Sequence, residues 1–105
     1  MRYLIKASYT TEGLRGVMKE GGTGRRAALQ QVAKELGGSI ESFYFAFGDT
    51  DVYVIAEFPD NKTAAALAMT VGASGSVGVE TSVLLTPEEV DDAAQISVNY
   101  RPPGK

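Results

Sequence analysis

Two apolar runs of two-residue period, Ser39 to Phe47 and Val52 to Phe58, flank the turn-forming tetrapeptide Gly48-Asp49-Thr50-Asp51. β-Branched and aromatic residues fill both runs, and Asp and Gly supply the turn between them, so the segment reads as an antiparallel hairpin. Pro59 then breaks the strand pattern, and Asp60 is placed to cap a helix. Ala64, Leu67, Ala68 and Val71 form a stripe of mostly small residues on that helix, suited to close packing, and Gly72 to Gly75 ends it. A further alternating run, Ser76 to Leu85, supplies one more strand.

Upstream of the hairpin, Arg2 to Thr10 alternates Tyr3, Ile5, Ala7 and Tyr9 against Leu4 and Lys6, the pattern of a half-buried strand. Thr11 to Gly22 is mixed: Leu14, Val17 and Met18 suggest a short helical turn stopped by Gly21-Gly22. Thr23 is then expected to cap a helix over Arg25 to Leu36, where Ala28, Leu29, Val32, Ala33 and Leu36 recur at helical spacing before the Gly37-Gly38 stop. Thr86-Pro87-Glu88-Glu89 has the form of a capping box and opens a short helix to about Ala94. Ile96, Val98 and Tyr100 alternate with polar residues beyond it, so residues 96–105 are expected to be a tail that offers an extra edge strand.

The resulting order, β-α-β-β-α-β with a short C-terminal helix and tail, is that of a ferredoxin-like α+β sandwich with two helices on one face of an antiparallel sheet. One domain over residues 1–95 accounts for the chain, since 105 residues fill a single core and leave no room for a second. Both helices on one face leave the other face of the sheet uncovered. A row of large rings from Phe43, Tyr44, Phe45 and Phe47 is expected there, with Leu4, Ile55 and Leu84 beside them. A monomer rarely exposes an apolar patch of more than a few hundred Å². The face is therefore expected to be an interface between copies of the chain, making the protein a homo-oligomer.

Composition removes many chemistries. The chain has neither cysteine nor histidine, which excludes disulfides, thiolate nucleophiles, sulfur and imidazole metal sites, and every triad built on imidazole. A net charge of −3 and a pI near 4.9 argue against nucleic acid as a partner, although this layout with aromatic residues on its sheet also binds single-stranded RNA. The apolar run after Met1 is too short for a signal peptide and no run spans a bilayer, so no membrane association is expected and the expected compartment is the cytosol.

Candidate sites remain, each with a plainer alternative. Lys6, Tyr53, Glu57 and Glu80 share the helix-free face and could hold a small molecule or transfer a proton; interfacial salt bridges are the better account of the charged members. Thr23, Arg25 and Arg26 follow Gly21-Gly22 at a helix start and could hold an anion, but the run lacks the lysine and spacing of a nucleotide-binding loop. Asp49 and Asp51 supply too few oxygens for a hard cation and fit turn stabilisation better, so neither a metal nor a cofactor is expected.

The strand-turn-strand from Ser42 to Ile55 resembles the central signature of the GYD domain family. The resemblance extends to the opening strand, Lys19-Glu20-Gly21-Gly22 ahead of Arg25-Arg26, the Pro59-Asp60-Asn61 helix start, the alanine-rich helix, and Leu84 to Val90. Gly48 and Asp51 stand for the Gly and Asp of the family's name, with Thr50 in place of tyrosine and Asp49 inserted. The resemblance implies a small bacterial-type protein of ferredoxin-like fold and carries no established reaction, substrate or catalytic residue. The function expected is a non-catalytic, oligomeric small-molecule-binding or assembly module. The alternative is a cofactor-free oxygenase or isomerase resembling the dimeric α+β barrels.

Overall fold

The computed structural model describes residues 1–105. It is an α+β structure with one antiparallel sheet of four strands and four helices. In chain order these are β1 (Arg2–Tyr9), α1 (Thr11–Glu20), α2 (Gly22–Glu35), β2 (Ser39–Phe45), β3 (Val52–Glu57), α3 (Asn61–Ala73), β4 (Val77–Leu84) and α4 (Pro87–Ala94). The strands lie in the order β2-β3-β1-β4. β1 therefore sits inside the sheet, with Leu4 opposite Ile55 on β3 and Ser82 on β4.

Tyr3, Val52, Val54, Ala56 and Phe58 point from the sheet into one core with Ala33 of α2 and Ala64 and Leu67 of α3. Burying side chains such as Tyr3 and Phe58 contributes about 1.5–3 kcal/mol each and is the main force holding α2 and α3 to this face. The Tyr3 hydroxyl donates to Asn61 Oδ1 at 2.7 Å, so its polar tip is satisfied at the start of α3. That helix begins as its sequence dictates: Asp60 accepts from the Thr63 amide at 2.8 Å and the Thr63 hydroxyl at 2.9 Å. α4 begins with the capping box read from Thr86 and Glu89, whose side chains each accept from the other's backbone amide.

Four expectations require correction. Thr11 to Glu20 forms a full helix where a short turn was expected, capped by the Thr10 hydroxyl. Gly13, which weakens the helical signal, is there because its α-carbon closes on β4: a β-carbon would lie 2.2 Å from the Ser76 carbonyl oxygen. Thr23 does not cap α2. Gly21, at φ 88°, ends α1 and immediately starts α2, so Thr23 falls inside the first turn. The third correction concerns β2, where the pairing with β3 slips between Ile40 and Ser42. This bulge places Ile40, Phe43 and Phe45 all on the helix side, so of the expected row of rings only Tyr44 stays on the open face of the strand, while Phe47 lies past the end of β2, exposed and stacked on Phe45. Lastly, residues 96–105 pair with no strand of this sheet.

The loop between β2 and β3 is fastened by Asp51. Its carboxylate accepts from the Tyr9 amide at 2.8 Å, and its own amide donates to the Ala7 carbonyl at 2.9 Å. Asp51 thus ties the hairpin to the end of β1. No helix is long and apolar enough to cross a membrane.

Candidate functional site

The small residues of α3 leave a gap against part of the sheet. Ala64, Leu67, Ala68 and Val71 face Ile5, Ala7 and Tyr9 of β1 and Val77 and Val79 of β4 across a cavity of about 70 Å³, and Leu29, Phe43, Val52 and Val54 complete its apolar wall. Alanine at Ala7, Ala64 and Ala68 is the local cause: three methyl groups stand where larger side chains would interdigitate. Thirteen of the fifteen lining residues are hydrophobic, and Arg25 is the one charged group among them.

Arg25 lies at the mouth, together with Tyr9, Val71 and Val77. These four residues also line an outer groove of about 540 Å³, whose other walls are Glu12, Gly13, Gly16, Val17 and Glu20 of α1, with Thr70, Ser74 and Ser76. An apolar chamber thus opens into a polar vestibule. Arg25 reaches it because α2 starts immediately after α1, which brings Arg25 Nη1 to 3.5 Å from Glu20 Oε2. Burial pushes the Tyr9 phenol up, and Arg25 beside it pulls in the opposite direction. Tyr9 therefore stands as a neutral hydroxyl donor at ordinary pH.

The open face is organised differently. Lys6 Nζ lies 3.8 Å from Glu80 Oε2, and Tyr53 pairs with Lys6 across β1 and β3. Glu57 is taken by Arg2, 3.5 Å from its Nη2, and Arg2 Nε reaches Glu41 at 2.9 Å. The structure thus brings Lys6, Tyr53 and Glu80 together and joins Glu57 to a separate, exposed ion-pair group. Such exposed pairs contribute about 0–1 kcal/mol each. A hollow of about 210 Å³ beside Lys6 and Glu80 is open to solvent.

Thr23, Arg25 and Arg26 do not converge either. Arg25 turns to the cavity mouth, whereas Arg26 lines a groove at the β2 edge with Gln30, Glu41 and Tyr44. Sequence reasoning did not join Tyr9 and Glu20 to Arg25, nor place Glu12 along the same groove. The signal that could have found the chamber was a deficit of volume, alanine facing alanine between strand and helix.

Over this architecture the family model of the GYD domain matches residues 3–94. The chain belongs to the GYD domain family. The match covers all four strands and ends with α4, so the cavity, its mouth and the open face of this GYD domain all lie inside it. Neither the curated proteins nor the solved structures contain a match to the chain.

Proposed function

We propose that this GYD domain is a non-catalytic small-molecule-binding module that works as an oligomer of identical chains. The cavity between the sheet and the helices carries the reading. A site that is mostly apolar, with a few polar groups at its entrance, is the usual form of a small-ligand pocket. A water occupies about 10–15 Å³ of such space and about 30 Å³ of liquid, so the cavity corresponds to about five waters, or about 150 Å³ of ligand. That volume accommodates a benzene ring or a short branched chain. Water held against such an apolar wall has few partners, and displacing it by an apolar group gains affinity.

Toluene tests the reading, because it needs no charged contact. Saturating toluene should raise the melting temperature of the protein, and Ala68→Leu, which fills the chamber, should raise it without toluene and remove the toluene response. No response in the parent protein would sink the reading.

Two dimensions support self-association. A monomer of this mass is expected to expose about 5,700 Å², yet the isolated chain exposes 7424 Å². Its radius of gyration is 16.9 Å where about 13 Å is expected of a compact domain. The excess of roughly 1,700 Å² exceeds the ~800 Å² that each partner contributes to a standard interface. It has two visible sources: the open sheet face, and α4 with its tail, where Val90, Ile96, Val98 and Tyr100 are all more than half exposed. The strand order, in which each helical crossover steps over one strand, supports a ferredoxin-like reading of the fold, and such a layout leaves one face for a second copy.

A further inference from the structure

The vestibule of the cavity is not a simple anion site. Glu12, Gly16 and Glu20 are spaced four residues apart on α1, so they share one helical face, and that face borders the groove. Gly16 lies between the two carboxylates. A β-carbon there would meet no atom within 4 Å, so the missing side chain leaves the space above the mouth free. Glu12 and Glu20 are about 12 Å apart along the helix, and a small ligand at the mouth reaches Glu20 alone.

Where the mouth meets the vestibule, one positive and one negative group stand side by side. Arg25 Nη1 and Glu20 Oε2 are 3.5 Å apart, longer than the 2.7–2.9 Å of a tight charge-assisted bond. A ligand carrying only a carboxylate would gain Arg25 and be repelled by Glu20; one carrying only an ammonium group would meet the reverse. A ligand carrying both on adjacent positions would satisfy each, with its remaining atoms directed into the apolar chamber. Matching of this kind rewards the ligand that meets both charges and penalises those that leave one unpaired.

We propose that the ligand of this site is an α-amino acid with an apolar side chain of leucine to phenylalanine size. Its carboxylate lies on Arg25 with the Tyr9 hydroxyl as a second donor, its ammonium group on Glu20, and its side chain in the chamber. The proposal rests on the reading of the chamber as a ligand site and adds the head group that the site selects.

Isothermal titration calorimetry with four probes tests it: L-leucine, 4-methylpentanoate, which lacks the ammonium group, 3-methylbutylamine, which lacks the carboxylate, and toluene, which lacks both. Leucine should bind at least about ten-fold more tightly than the acid or the amine, the scale of one hydrogen bond to a charged group. Arg25→Gln should weaken leucine binding while leaving amine binding undiminished or stronger, because the like charge that repels the amine is gone, and Glu20→Gln should weaken leucine binding while leaving acid binding undiminished or stronger. Both side chains are partly solvent-exposed, and circular dichroism of each variant establishes that it is folded. Equal binding of leucine and either single-charge analogue would overturn the proposal, as would variants that weaken all probes alike. Toluene binding without any preference for leucine would overturn the proposal and leave the chamber as a ligand site. Binding of none of the four would remove both.

Discussion

Gly13 and Gly16 lie one turn apart on α1 and have opposite constraints. A β-carbon at Gly13 would overlap the Ser76 carbonyl oxygen, whereas one at Gly16 would stand in open space. Gly13→Ala must push α1 away from the start of β4 and should destabilise the fold by about 1–3 kcal/mol, the cost of overpacking. Gly16→Ala removes backbone freedom from a helix without a clash and should stabilise by about 0.5–1 kcal/mol. Urea denaturation of the two variants distinguishes them by sign. At Asp60 the expected signal is pH-dependent. The Thr63 amide and hydroxyl hold its carboxyl below the usual aspartate value. A group whose folded pKa is depressed contributes stability that is fully present above its unfolded pKa and is lost as pH falls through the folded one. The melting temperature should therefore drop in the acid range below the ordinary aspartate pKa. Asp60→Asn keeps an N-cap acceptor without the titration, so its melting temperature should fall less over that range. An unchanged acid slope would show that Asp60 is not the group responsible.

At the scale of elements, what could be read from the sequence depended on whether local pattern and tertiary demand agreed. The hairpin, α3 and α4 were legible because cap, period and turn residues all pointed the same way, down to the Thr86–Glu89 box. α1 was obscured because Gly13 serves β4, and helix propensity carries no record of that approach. In β2 the period-two pattern was correct residue by residue, but a bulge at Glu41 reset the faces, and nothing in local composition announces a bulge. The candidate site was harder to read still, since its chamber is made of absent volume and its mouth joins residues from β1, α2, α3 and β4. The register itself can be tested. Phe43 packs against the core while Tyr44 is 71% exposed. Phe43→Ala should cost about 3 kcal/mol, and Tyr44→Ala less than about 0.5 kcal/mol when measured where the chain is monomeric. Comparable losses at the two positions would mean that the strand has no such slip.

Taken whole, the molecule has a body and an arm, and they differ in what they need. The body closes its core with residues from β1, β3, α2 and α3, all before position 68, and α4 contributes no buried residue to it. The arm that follows β4 leaves Leu85, Val90, Ile96, Val98 and Tyr100 in water, a run of apolar groups that helps stability only if another surface covers it. Under the proposed self-association, a second copy would offer such a surface in Leu4, Tyr53 and Ile55 of the open face, aligned across β1 and β3. Removing residues 87–105 should therefore leave the fold intact and weaken association. By circular dichroism the shortened chain should keep its strand signal and a melting temperature within a few degrees of a monomeric full-length reference. By sedimentation velocity it should dissociate at concentrations where the full chain remains assembled. Ile55→Lys places a charge at the centre of the open face without touching the arm, and should dissociate the full chain in the same concentration range. If the arm deletion dissociates the protein and Ile55→Lys does not, the arms associate with each other and the sheet face is free. If Ile55→Lys alone dissociates it, the sheets meet directly and the arm lies outside the interface.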